Sequence, residues 1–180
     1  METSYLSIMA SFDEETNARI EALKVAACQV QNSCSILASH LSLGFYVGLA
    51  PQILANWAAR FAATQPPLPV YFTSVSAFGN RVCYLAPKTN QALLGFHRAL
   101  HTQYDDFAGE VGHPYTLKSG QWVPHCTLFM SDTEDVTPAL AAARQQFTPF
   151  SGTITAITLG HFGPVATLGQ YPLQGTPPAP

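Results

Sequence analysis

The chain has 180 residues, 47% hydrophobic and 11% charged, with eight Lys and Arg against eleven Asp and Glu and a net charge of −3. That balance fits a folded protein and argues against disorder over most of the length, and so few scattered cations exclude the basic footprint needed to grip long nucleic acid. No run approaches about 18 apolar residues, so no membrane span is expected, and no basic leader precedes an apolar run. With no C-x-x-C spacing among Cys28, Cys34, Cys83 and Cys126, the thiols read as free in a cytoplasmic, reducing setting.

In chain order, "YLSIMASF" (Tyr5 to Phe12) is a strand candidate. "DEETNARIEALKVAACQV" opens with acids suited to a helix start and carries Ile20, Leu23 and Ala27 at helical spacing. "ASHLSLGFY" follows, with His40 and Ser42 at the head of a strand. "PQILANWAARFAA" from Pro51 is an Ala-rich helix, "LPVYFTSVSAFGN" a strand ending in Phe78-Gly79, and "RVCYLAP" another strand. "KTNQALLGFHRALHTQYDDF" predicts one long helix with Leu93, Phe96, Leu100, Tyr104 and Phe107 as its apolar stripe. Beyond the loop "AGEVGHPYTLKSGQ", the stretch "WVPHCTLFM" places His125 and Thr127 as the earlier strand places His40 and Ser42. "DVTPALAAARQQF" is a helix and "FSGTITAITLGHFG" a strand ending in Phe162-Gly163, with a last strand from about Val165 to Tyr171.

The order repeats. His40 and His125 are 85 positions apart, and the two Phe-Gly pairs are 84 apart. Each half, about 4–80 and 81–172, reads strand, helix, histidine strand, helix, strand, within one bilobal domain over 1–172; 173–180 is a proline-rich tail.

Alternate residues of a strand share a face. His40 with Ser42, and His125 with Thr127, therefore point one way, while Leu41, Leu43, Cys126 and Leu128 anchor the other side. A pseudo-two-fold relation between the halves would set the two pairs across a cleft. Two imidazoles with ordinary pKa near ~6.5 can divide the work of general base and general acid, and two hydroxyls can hold the non-bridging oxygens of a phosphate between them.

The tetrads "HLSL" and "PHCTL", in a chain of duplicated plan, resemble the 2H phosphoesterase superfamily, also described as 2'-5' RNA ligase-like or cyclic phosphodiesterase proteins. The resemblance covers roughly Tyr5 to Tyr171. It implies an α+β bilobal fold with antiparallel sheets around a central cleft, and metal-independent cleavage of 2',3'-cyclic phosphates or 2'-5' linkages. His40 and His125 would be the acid-base pair, Ser42 and Thr127 the phosphate-binding hydroxyls, and no cofactor or metal is expected. Many nucleic-acid-processing members carry a basic residue soon after the second tetrad, where this chain has "FMSD". A small nucleotide or short oligonucleotide is thus the expected partner of a monomer; a cyclic nucleotide signal, or a non-catalytic binding module on the same fold, is the alternative.

Further substrate contacts are sought in Phe45, Tyr46 and Phe129, which could stack a base although apolar strand positions more commonly enter the core. His113, Tyr115 and Lys118 are candidates in the loop before the second histidine. His97 and His101 are four apart on a helix but have no third metal ligand in view, and read as a solvated or flanking face. His161 reads as structural and Cys126 as buried packing.

Overall fold

The computed structural model describes residues 4–32 and 37–176. The strands are β1 (Tyr5–Phe12), β2 (Leu41–Tyr46), β3 (Leu68–Phe78), β4 (Val82–Pro87), β5 (Cys126–Met130), β6 (Phe150–Phe162) and β7 (Ala166–Pro172). The helices are α1 (Glu14–Cys28), α2 (Pro51–Thr64), α3 (Gln91–Leu100), the single turn α4 (Gly109–Gly112) and α5 (Thr137–Gln146). Their starts follow local chemistry. The Asp13 carboxylate accepts from Thr16 N–H at 2.8 Å and the Asn90 side chain from Leu93 N–H at 2.8 Å, satisfying N–H groups a helix leaves free, while Pro51 opens α2 where no N–H is needed.

The strands form one antiparallel seven-stranded α+β sheet in the order β2-β1-β6-β3-β4-β5, with β7 on β6. Its centre is the β3–β6 pairing, where Val70 faces Gly152. Those positions are 82 apart, close to the spacing of the two histidines, as a two-fold relation between the halves requires. Past Phe72 and Ile154 the two strands part: β3 continues alongside β4, and β6 alongside β1. Each half thus sends its last strand into the other's limb of the sheet, and a cleft opens where the limbs diverge. The helices also pair across halves, α1 with α5 and α2 with α3 through Phe61 and Phe96, 5.4 Å apart.

The Phe-Gly pairs close the β3–β4 and β6–β7 hairpins. Gly79 and Gly163 take φ of +55° and +86°, a region that other residues enter only with strain. The core lies between sheet and helices and includes Ile8, Ile20, Leu41, Leu43, Leu85, Leu128 and Ile154.

Two expectations need correction. The helix expected to reach Phe107 ends at Leu100, with a separate 3-10 turn at Asp105–Phe107; His101 leaves the helical path to bond elsewhere, as described below. The cysteines are not all free thiols: Cys83 and Cys126 are free and buried, but Cys28, at the end of α1, is disulfide-bonded, and Cys34 lies outside the described residues. Pairing depends on how close the fold brings two Cβ atoms, which a search for C-x-x-C does not detect. The thiol argument for a reducing compartment therefore does not hold. No helix among the described residues is long and apolar enough to cross a membrane.

Candidate active site

His40 and His125 stand just before β2 and β5, and the chain holds them identically. His40 Nδ1–H donates to Ala38 O at 2.7 Å, and His125 Nδ1–H to Val123 O at 2.8 Å. A carbonyl only accepts, so Nδ1 carries the hydrogen and Nε2 is the nitrogen left for a ligand. Both rings, with Ser42 and Thr127, line one cavity of about 490 Å³ between the limbs. The tetrads also touch: the Cys126 thiol bonds with the His40 backbone N–H, and burial pushes that thiol up to about 12, so Cys126 acts as a spacer between the two histidine strands and not as a nucleophile.

Burial lowers the pKa of both histidines. For His40 the positive charges of His125 and Lys24 add to this, against the hydrogen bond to Ala38, which works the other way; for His125 the bond to Val123 opposes burial.

Both histidine strands carry a bulge at the same place. Ile8 faces Gly44 and Met9 faces Ser42, which leaves Leu43 without a partner; Cys83 faces Phe129 and Tyr84 faces Thr127, which leaves Leu128 without one. The extra residue in each case is the leucine that ends the tetrad. A bulge resets alternation, so the next cleft-facing residue comes three positions after the hydroxyl and not two. Phe45 therefore joins Ser42, and Met130, 59% exposed, joins Thr127 at the cavity wall. Tyr46 and Phe129 turn into the core, 2% and 0% exposed. They are not available to stack on a ligand.

Of the loop candidates, Tyr115 lines the cavity beside Pro114. Its ring meets Phe45 at 4.7 Å, and its hydroxyl bonds with the Ser42 hydroxyl; burial nevertheless raises its pKa, so it stays a donor. His113 and Lys118 are exposed on the same loop and do not line the cavity.

Sequence reasoning missed several wall residues. Phe162 stacks on Tyr5 at 5.2 Å, and Phe78 meets the His125 ring edge-on at 5.0 Å. Both phenylalanines belong to the repeated Phe-Gly pairs, and that recurrence was the available signal: the glycine turns the hairpin and the phenylalanine enters the cleft.

Two clamps behind the site were also missed. On the first strand, Lys24, 5% exposed, donates to Leu37 O and to Glu21 Oε1, and Ser39 Oγ donates to the same carboxylate oxygen at 2.6 Å. Together they fix the backbone leading into His40. On the second, Trp122 Nε1 donates to Ser42 O at 3.2 Å, while its ring stacks on His97 at 3.7 Å. His101 Nε2–H donates to the carbonyl of the bulge residue Leu43 at 2.7 Å, and its Nδ1 bonds Asp105. His97 and His101 are thus buried, 3% and 6% exposed, so of the solvated or flanking face expected the solvated alternative is overturned. The bulge that re-aims Phe45 frees a carbonyl, and His101 satisfies it. Gly44 leaves the space this needs, since a Cβ there would lie 3.3 Å from His101 Cε1.

No group of three His, Cys, Asp or Glu able to hold a metal occurs among the described residues. A family model described as the 2'-5' RNA ligase superfamily matches residues 15–163, a span that includes both tetrads. The chain belongs to the 2'-5' RNA ligase superfamily. Comparison with curated proteins gives no match. Among solved structures, the superfamily fold recurs in the Thermus thermophilus protein TT0787, with a TM-score of 0.64 at 14% identity over 96% of this chain and 100% of that one. E. coli LigT complexed with NADP+ gives 0.63 at 18% identity, over 96% and 99%. LigT complexed with 3'-AMP gives 0.58 at 18% identity over the same shares.

Proposed function

We propose that this superfamily member is a phosphodiesterase acting on a small nucleotide or short RNA end, a 2',3'-cyclic phosphate or a 2'-5' diester, with His40 and His125 as its acid-base pair. The observation that carries this reading is the repeated setting of the two imidazoles. Each has Nδ1 tied to the carbonyl two residues back, Nε2 left for a common cavity, and a hydroxyl two residues on. In the reaction one Nε2 removes a proton from water, the water oxygen forms a bond to phosphorus, the P–O bond to the leaving ribose oxygen breaks, and the other Nε2–H protonates that oxygen. Ser42 and Thr127 donate to the non-bridging oxygens throughout. The two rings are held alike, so either imidazole can take the base role with its partner as the acid. The two imidazoles supply both proton transfers, and we infer a metal-independent reaction. The LigT complexes with 3'-AMP and ATP support a ligand of nucleotide size.

The test is turnover of 2',3'-cyclic nucleotides and 2'-5' dinucleotides in excess chelator, with His40→Ala and His125→Ala beside the parent. Each variant is expected to lose at least ~10³-fold in rate while keeping its thermal melt. Undiminished activity in either variant would end the two-histidine reading. Affinity without turnover in the parent would instead favour a binding module, and loss in chelator a metal enzyme.

A further inference from the structure

A second cavity, of about 430 Å³, meets the first at Leu37, Ala38, His40 and Phe162. The two differ in chemistry. The first is walled by Tyr5, Phe45, Phe78, Tyr115, Trp122 and Phe162 and offers ring faces. The second mixes apolar residues, among them Met9, Val165 and Phe162, with small polar groups and the His161 ring. Ser11 Oγ and Thr158 Oγ1 lie 2.7 Å apart across β1 and β6, and each keeps further lone pairs for a ligand. Asn17 donates its Nδ2 to Phe12 O, which leaves its amide oxygen as an acceptor, and Gln170 presents an exposed amide from β7.

Neither cavity is lined by Lys or Arg among the described residues, and the one carboxylate in either wall is Glu21. The residues outside the described segments contain no Lys or Arg. Lys24 does not line either cavity; it pairs with Glu21, with Nζ 3.0 Å from Oε1, so the two charges largely offset one another. A terminal phosphate monoester carries about −1.5 to −2 charge at pH 7. Seated in the second cavity, it would give up water with no lining Lys or Arg to replace it, beside a Glu21–Lys24 pair that offers no surplus positive charge, and burying an unpaired charge is costly.

Building on the proposed phosphodiesterase reading, we infer that the second cavity is a subsite for the neutral, hydroxyl-bearing side of the substrate, so that the cleft selects a diester flanked by two uncharged groups over one bearing a terminal phosphate. One flank stacks on the aromatic wall, the diester lies between His40 and His125, and the other flank exchanges hydrogen bonds with Ser11, Asn17 and Thr158. A dinucleoside monophosphate fits this description.

The experiment compares kcat/KM for a 2'-5'-linked adenylyl dinucleoside with the same molecule carrying a 5'-phosphate or a 3'-phosphate. The unphosphorylated form is expected to be cleaved at least ~10-fold better than whichever form places its phosphate in the second cavity, where no Lys or Arg replaces its water. Thr167→Lys, which adds a cation to that wall, is expected to narrow the ratio. Equal or faster turnover of both phosphorylated forms by the parent would overturn the inference, as would a ratio that Thr167→Lys leaves unmoved. If none of the three is cleaved, the phosphodiesterase reading fails separately. Charge selection is then read from equilibrium binding of the same three molecules: weaker binding of a phosphorylated form supports it, and equal or tighter binding of both overturns it.

Discussion

The indole of Trp122 donates to the Ser42 carbonyl at 3.2 Å, so a residue of the segment entering His125 holds the strand that follows His40. One hydrogen bond thereby couples the two tetrads. Trp122→Phe keeps an aromatic ring against His97 and removes the donor. It is expected to lower kcat about 10-fold with a small change in KM, because displacing one hydroxyl relative to the opposite imidazole harms alignment more than ground-state binding. Stability should fall by about 1 kcal/mol. Unchanged kcat with the same stability loss would make Trp122 a packing residue only.

Ser42 and Thr127 sit just before the bulged leucines, and their hydroxyls reach the cavity while Leu43 and Leu128 are fully buried. Ser42→Ala and Thr127→Val are each expected to cost about 100- to 1000-fold in kcat/KM, the scale of losing one charge-stabilising donor. Thr127→Ser keeps the hydroxyl and should retain most of the rate. Equal loss in Thr127→Ser and Thr127→Val, measured by steady-state kinetics, would show that the methyl group and not the hydroxyl matters.

Much of this was legible because it was written twice. β1 matched its expected span residue for residue, and the repeated tetrads and Phe-Gly pairs located both histidine strands and both hairpins. What failed depended on contacts distant in the chain. Phe45, Tyr46 and Phe129 stood together as candidates to stack a base, and only the pairing register with β1 and β4 reveals the bulges that turn the last two inward. The apolar stripe through Tyr104 and Phe107 continued past the true end of α3 because nothing local announces that His101 bonds Leu43, 58 positions earlier. Trp122 carried no signal as a hydrogen-bond donor, since its acceptor is a backbone carbonyl 80 positions away.

The pH dependence follows from the lowered pKa of the pair. Burial disfavours each imidazolium, and for His40 the charges of His125 and Lys24 do so further. Each ring therefore loses its proton at a lower pH than free imidazole. The singly protonated pair is most populated between two macroscopic values that both lie below ~6.5, so kcat/KM should be bell-shaped with its maximum on the acid side of 6.5. A bound phosphate anion favours the imidazolium, and the kcat profile should accordingly sit at higher pH than the kcat/KM profile. A kcat/KM maximum above pH 7, or profiles that coincide, would contradict this assignment.

His97 makes a separate prediction about stability. Burial, then the adjacent His101 ring, push its pKa down to about 3, against the hydrogen bond to the Tyr115 carbonyl, and its Nε2 is buried without a hydrogen-bond partner. In the unfolded chain the same imidazole titrates near ~6.5. Between these values the unfolded state binds the extra proton and the folded state does not, so stability falls as pH drops below the unfolded value. From pH 6.5 to 4.5 this one residue should remove about 2 to 3 kcal/mol. His97→Phe preserves a ring against Trp122 and cannot take up the proton. Urea unfolding of parent and variant at the two pH values should show a smaller acid loss in His97→Phe by roughly that amount. Parallel losses would mean that the His97 ring is protonated, or rehydrated, within the folded protein over this range.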